Sequence, residues 1–241
     1  VYKRQGQRIL ELGCGWGSFC LWAARRWPGS EIVAVSNSRT QRLHIEAQAA
    51  EHGLDNLTVL TADVTTFDPA ERGCPGPFDR IVSIEMLEHI SNHEELFGRI
   101  SRWLAPDGRF FAHIFTGNDV AFAYDADDPR DWMGRYFFSG GLMPSDDWFL
   151  HLQSDLVCTD HWQLSGTHYR KTADAWIDNH RRHRAELIDA LSTDIGRRRA
   201  RVQYRRWRAF FVGCAQLWGY RGGRDFGVSH YLFEPRPGPI T

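Results

Sequence analysis

Lysine is nearly missing from this 241-residue chain: only Lys3 and Lys171 are lysine among its 29 basic residues, so almost all of its positive charge is guanidinium. Long hydrophobic runs are missing too. No stretch approaches the ~18 apolar residues of a membrane span, and Val1-Tyr2-Lys3-Arg4 leads into polar residues instead of the apolar core of a signal peptide. The five cysteines (Cys14, Cys20, Cys74, Cys158, Cys214) are odd in number and contain no C-x-x-C pair, which argues against a disulfide framework and a zinc site. No internal repeat is present. These absences lead us to expect a cytoplasmic protein that carries no metal.

What is present is a core. Apolar residues make up 42% of the chain and aromatics 13%, with ten tryptophans, which excludes disorder and low complexity. The length suits one large domain spanning 1–241, with cap regions at 116–155 and 170–224. Charge is unevenly spread: residues 170–224 hold 14 bases against five acids, a net +9 that leaves −10 for the rest.

Ile9-Leu10-Glu11-Leu12 is a short apolar run that ends in Gly13-Cys14-Gly15-Trp16-Gly17, after which Phe19, Trp22, Ala23 and Trp27 recur at helical spacing. Glu31 to Val35 is a second strand, followed by Ser38 as N-cap with Gln41 three residues on and Gly53 as stop. Leu57 to Leu60 and Phe78 to Ile84 read as the next strands. Helical spacing returns at Leu96, Phe97, Ile100, Trp103 and Leu104, then Pro106-Asp107-Gly108 stops it before a strand over Arg109 to Phe115. Alternation of this kind predicts a parallel α/β sheet covered on both faces. Residues 116–155 break the pattern and read as an insertion. Leu156 to Leu164 and Phe226 to Phe233 are expected to finish the sheet as a hairpin-like edge pair. Between them Trp207, Phe210, Phe211, Cys214, Leu217 and Trp218 form an apolar helical stripe.

Glu11 to Gly17 fits E-x-G-x-G-x-G between a strand and a helix, where glycines let the backbone approach a ligand and expose amide groups to it at a helix N-terminus. The dinucleotide form G-x-G-x-x-G fails because Ser18 takes the third position. A purely structural turn would use the same glycines. Asn37 and Gln41 follow the second strand, where neutral amides can bond both hydroxyls of a ribose; a helix cap is the alternative. Asp63 stands where a carboxylate could accept a purine amino proton, or serve as a turn aspartate. Glu85, Glu88 and His89 lie at i, i+3 and i+4 after the fourth strand. One helical turn would gather them on one face as an acid/base cluster, and acids at a solvated helix start would read the same way.

In this order the motifs resemble class I S-adenosylmethionine-dependent methyltransferases, and within them the branch that contains coclaurine N-methyltransferase and cyclopropane-fatty-acyl-phospholipid synthase. The resemblance runs from about residue 8 to 234. It rests on Ile9 to Ser18, Ser36-Asn37-Ser38 with Thr40-Gln41, Ser83 to His89, Tyr136 to Ser145, Gly166-Thr167-His168-Tyr169 and Phe210 to Tyr220. It implies a Rossmann-like seven-stranded sheet with helices on both faces and a helical cap insertion. It also implies S-adenosylmethionine as cofactor, lined by Glu11, Gly13 and Gly15, with its ribose on Asn37 and Gln41. Asp63 and Val64 would flank the adenine, and Ile84 would close the pocket. The acceptor site is similar to one lined by Glu88, His89, His113 and Tyr169, beneath the aromatic segment Arg135, Tyr136, Phe137 and Phe138.

Within the branch, N-methyltransferases carry Glu where Glu85 stands and cyclopropane synthases a small residue, and Tyr136 to Ser145 resembles the N-methyltransferase form. An amine acceptor requires its ammonium proton to be removed before attack, and Glu85, Glu88 and His89 suit that task. The rival is methylene transfer to unsaturated lipid chains, where the resemblance implies a bicarbonate held by Glu88, His113 and Tyr169. Cys214 stands where the lipid branch commonly has Cys, although a buried packing residue suits its stripe better. A third reading is a non-catalytic domain of the same fold. The +9 region is a candidate for peripheral contact with an anionic membrane surface, or simply a solvated helix face. No nucleic-acid reader motif is present, and a monomer or homodimer is expected. The resemblance implies an N-terminal cover over the cofactor that this sequence is expected to lack; read as a fragment, the chain is expected to bind cofactor weakly and to leave the site open to water.

Overall fold

Apolar runs bounded by glycine or proline become strands where both faces can be covered. In the computed structural model, which describes residues 5–138 and 140–237, these runs are β1 (Arg8–Leu12), β2 (Glu31–Ser36), β3 (Leu57–Thr61), β4 (Phe78–Ile84) and β5 (Leu104–Gly117), joined through α1 (Ser18–Arg26), α2 (Arg39–Glu51) and α3 (His93–Trp103). Val1 to Arg4, Ser139 of the Tyr136 to Ser145 motif, and residues 238–241 lie outside the described residues. The chain continues through β6 (Phe122–Ala123), α4 (Trp132–Tyr136), β7 (Leu142–Met143) and β8 (Leu156–Ser165). It ends with α5 (Thr167–Arg182), α6 (Arg184–Ile195), α7 (Arg197–Gly219) and β9 (Phe226–Pro235).

The expected seven-stranded sheet is present, in the order β3-β2-β1-β4-β5-β9-β8. The pairs β1–β2, β2–β3, β1–β4 and β4–β5 are parallel. The two last strands are neighbours, as the edge-pair reading requires. Strand order reverses beside β1, so the connections leaving β1 and β4 diverge and open a crevice at their carboxyl ends, where ligands bind in open α/β sheets.

Side-chain alternation sorts the sheet onto two cores. Leu10, Leu12, Val33, Val35, Ile81, Phe110 and Tyr231 pack with Phe97 and Ile100 of α3, while Ile9, Ile32, Ala34 and Val59 pack with Cys20 and Ala23 of α1 and Ile45 of α2. Caps set the helix starts: Ser38 accepts from Gln41 N, and Asn92 accepts from Glu95 N at 3.1 Å. The capping box closes differently from its usual form. Gln41 Oε1 accepts from Ser36 Oγ at 2.6 Å, and Ser36 Oγ in turn accepts from Ser38 N at 3.1 Å. Leu104, expected to end α3, instead begins β5, and Pro106-Asp107-Gly108 bulges out between the Phe78–Leu104 and Arg80–Arg109 pairs.

The chain forms two compact units. One is built from the described residues of Val1–Ile114, Asp147–Trp162 and Ser229–Thr241, the other from those of Phe115–Asp146 and Gln163–Val228. Residues 147–155 therefore belong with the sheet. Phe149 is fully buried there against Phe97 and Tyr231, and such a ring contributes about 1.5–3 kcal/mol. The second unit gathers Phe115, Met143, Ala173, Cys214, Ala215 and Trp218 into its own core, with Tyr169, Phe210 and Leu217 against it. The inner half of the α7 stripe is therefore core. Its arginines 197, 198, 199, 201, 205 and 208 are exposed, which matches a solvated outer face.

Candidate active site

The glycine loop is the first component. Gly13 has φ +81°, and a Cβ there would collide with Met86 Cγ; Gly15 has φ +52°, and nothing lies within 4 Å of where its Cβ would be. Gly13 thus serves packing, and Gly15 leaves room for a ligand. The amides of Gly13 and Cys14 both donate to Val35 O, at 3.0 and 2.9 Å, and Gly17 N donates to Cys14 O at 2.9 Å. These three amides hold the turn. The expectation that the turn's amides face a ligand therefore does not extend to them, because β2 ends close enough to take the first two. Glu11 is buried in β1, and its charge helps to raise the thiol of Cys20, after the effects of Cys14 and of burial.

Asn37 is exposed at the end of β2. Gln41 has its oxygen committed to Ser36, so what it offers a ribose hydroxyl is its Nε2–H. Asp63 follows β3 and is exposed; its Oδ1 accepts from Thr65 N at 2.9 Å and Thr65 Oγ1 at 2.7 Å, which lowers its pKa. The turn-aspartate reading is thereby met, and Oδ2 is left for a second donor. Val64 and Ile84 are half-buried. An open glycine corner, a neutral amide donor and a carboxylate acceptor at adjacent strand ends fit a nucleoside carrying a short chain.

The acid/base cluster forms, but by a different route from the expected helical face. Glu85 has the left-handed φ of 52°, a conformation a non-glycine side chain holds at a cost of order 1–3 kcal/mol and one that clusters at functional sites. Its N–H donates to His113 O at 3.0 Å. The turn that follows is a short 3-10 helix, Leu87–His89. Threefold winding sends Glu88 into the interior, 2% exposed, and leaves His89 at the surface. Burial, and the charge of Glu85 next, raise the Glu88 carboxyl well above its usual range. Its surroundings therefore favour the neutral form of Glu88 beside Glu85. Partial desolvation lowers His89, against the pull of Glu85.

His113 stands on β5 opposite Ile84, and its Nε2 lies 3.0 Å from Glu85 Oε1. Its Nδ1 lies 2.9 Å from Nε2 of His230 on β9. Sequence reasoning passed over His230. The visible trace was an imidazole among Val228, Tyr231 and Leu232 in an otherwise apolar strand. Burial, with His113 adding to it, pushes His230 down to about 4.

The remaining expected residues lie in the second unit. Tyr169 stacks on Trp218 at 5.1 Å, and Phe138 packs with Phe115 and Tyr124. Phe137 stacks on Phe210 at 4.3 Å with Trp207 at its edge. Arg135 and Tyr136 are exposed, and the Arg206 guanidinium lies 4.2 Å over the Tyr136 ring. A cavity of about 680 Å³ opens among α5, α6 and α7, lined by Trp176, His180, Leu187, Trp207, Phe210 and Phe211. Cys214 is buried, and its thiol is pushed up to about 11, as suits a packing residue and not a nucleophile.

The chain is similar to known proteins over most of its length. The model of the mycolic acid cyclopropane synthetase family matches residues 2–222. The (S)-coclaurine N-methyltransferase of Thalictrum flavum subsp. glaucum is 34% identical over 97% of this chain and 64% of its own length. The chain therefore spans a little under two thirds of that relative. Cyclopropane-fatty-acyl-phospholipid synthase of Escherichia coli (strain K12) is 28% identical over 78% of this chain and 46% of its own. A crystal structure of coclaurine N-methyltransferase bound to N-methylheliamine and SAH superposes with a TM-score of 0.89 at 31% identity, covering 96% of this chain and 68% of that one.

Proposed function

The chain belongs to the mycolic acid cyclopropane synthetase family, and from that premise we propose that it is an S-adenosylmethionine-dependent methyltransferase whose acceptor is the nitrogen of a small, alkaloid-like amine. S-adenosylmethionine, when bound, supplies a methyl group on an electrophilic sulfonium. Glu11, Gly13 and Gly15 line its site in this reading, Asn37 and Gln41 hold the ribose, Asp63 and Val64 flank the adenine, and Ile84 closes the pocket. Tyr169 and Arg135 to Phe138 are assigned to the acceptor.

The observation that carries the amine reading is the pairing of Glu85 with both His113 and Glu88. A buried neutral acid beside a half-exposed carboxylate divides the two roles. Glu85 attracts the ammonium form of the substrate and receives its proton, which frees the nitrogen lone pair. Glu88 donates a hydrogen bond to Glu85, and His113 Nε2 lies 3.0 Å from Glu85 Oε1, so the carboxylate is held in place. His89 at the rim is a second acceptor for the departing proton.

The lipid reading has support of its own, because Glu88, His113 and Tyr169 are the residue types that the resemblance assigns to bicarbonate. Glu85 weighs against it: a carboxylate at that position has work to do with an ammonium and none with an alkene. Initial rates of amine methylation test the division of roles. Glu85→Gln is expected to lose about 10²- to 10⁴-fold in kcat. Glu88→Gln, which keeps a donor, is expected to lose roughly tenfold, the size of one hydrogen bond. Equal losses would place the base elsewhere.

A further inference from the structure

His230 lies on the same sheet face as His113, on the neighbouring strand, with ring centroids 4.8 Å apart and Nε2 2.9 Å from His113 Nδ1. On its other side, His113 Nε2 lies 3.0 Å from Glu85 Oε1. An imidazole held by one nitrogen can flip about its ring bond, which exchanges each nitrogen for a carbon. One with a hydrogen bond at Nδ1 and a carboxylate oxygen close to Nε2 cannot flip without losing both contacts. Nothing in the fold requires a polar group at 230: Val228 and Leu232, which share its face of β9, are buried apolar residues.

We propose that His230 is the positioning residue of the site, fixing the ring orientation and tautomer of His113 so that His113 presents Nε2–H to Glu85. The proposal rests on the assignment of Glu85 as the base. The groups facing His113 are Glu85 from the end of β4, with Glu88 beyond it, and His230 from β9. The further neighbour of His230 is the ring of Phe111, at 5.2 Å. Because His230 stays neutral, it can serve His113 in either protonation state. It donates from Nε2–H when His113 is neutral, and accepts there, carrying its own proton on Nδ1, when His113 is charged. A lysine or arginine at 230 could only donate, and a carboxylate would add charge beside the Glu85–Glu88 pair.

The test uses ¹⁵N imidazole spectra of the full chain at mildly alkaline pH, with His113 identified by the signals lost in His113→Gln. The wild type is expected to show His113 in one tautomer, protonated at Nε2, and His230→Ala a mixture of two. His230→Gln, whose amide can donate or accept, is expected to restore the single tautomer, and Phe111→Leu to leave it unchanged. In turnover, His230→Ala is expected to lower kcat about 10- to 100-fold, as a misplaced group does. The KM for S-adenosylmethionine should stay constant, and His230→Gln should recover most of the rate. An unaltered His113 tautomer in His230→Ala would overturn the proposal, and so would equal losses in the Ala and Gln variants, which would make the role one of packing. If the wild type methylates no amine, the functional reading fails, while the ¹⁵N spectra still decide the role of His230.

Discussion

Glu85 and Glu88 are three residues apart and have unlike surroundings, which is what acid and base roles require of two identical side chains. Glu88 sits 2% exposed with its carboxyl raised by burial and by Glu85. The sign of its effect on stability follows. Below the ordinary carboxyl range Glu88 is neutral in both states and contributes no pH dependence. Above it the unfolded chain gives up the proton and the native one retains it, so this residue makes the native state progressively less stable as pH rises toward its raised pKa. Glu88→Gln removes that dependence. In thermal melts from pH 5 to pH 9 the variant should gain on the wild type as pH rises, by about 2–4 °C for each kcal/mol relieved. Parallel curves would mean that Glu88 is not held neutral.

At the scale of elements, the glycine turn between β1 and α1 separates packing from binding. Gly13→Ala forces a left-handed alanine, costing about 1–2 kcal/mol, and drives its methyl into Met86, which adds about 1–3 kcal/mol. Gly15→Ala should bear only the first cost, because its Cβ meets open space, but that methyl would occupy the ligand's side of the turn. Denaturant melts should rank Gly13→Ala as the less stable variant. Calorimetric titration with S-adenosylhomocysteine should show at least a tenfold loss in Gly15→Ala. Intact binding there would remove the turn from the cofactor site. The strands β1 to β5, α1 to α3, and the cap at Ser38 are written in local pattern, which is why alternation and spacing located them. The turn after Glu85 was not legible, because i, i+3, i+4 spacing serves an α-helix and a 3-10 turn alike and only the backbone of Glu85 decides. His230 was not legible for a different reason. Its partner lies 117 residues away, and only the insertion of β9 beside β5 brings them together.

At the scale of the whole molecule, no helix among the described residues is long and apolar enough to cross a membrane. The +9 of residues 170–224 is carried largely by exposed arginines on α7. Such a surface would bring an enzyme to anionic lipid, or merely keep a helix solvated, and salt separates the two, since attraction to a charged surface is screened within about a Debye length. The chain's relatives include N-methyltransferases and a cyclopropane-fatty-acyl-phospholipid synthase, so the choice rests on the acceptor. The most direct measurement is S-adenosylhomocysteine release by the purified protein with secondary benzylic amines and with unsaturated anionic phospholipid vesicles, side by side across pH and salt. The account predicts turnover with amines alone, rising with pH as the substrate loses its proton and indifferent to salt. Turnover with vesicles alone, abolished at high salt, would contradict it and make the arginine face of α7 the docking surface of a lipid-modifying enzyme.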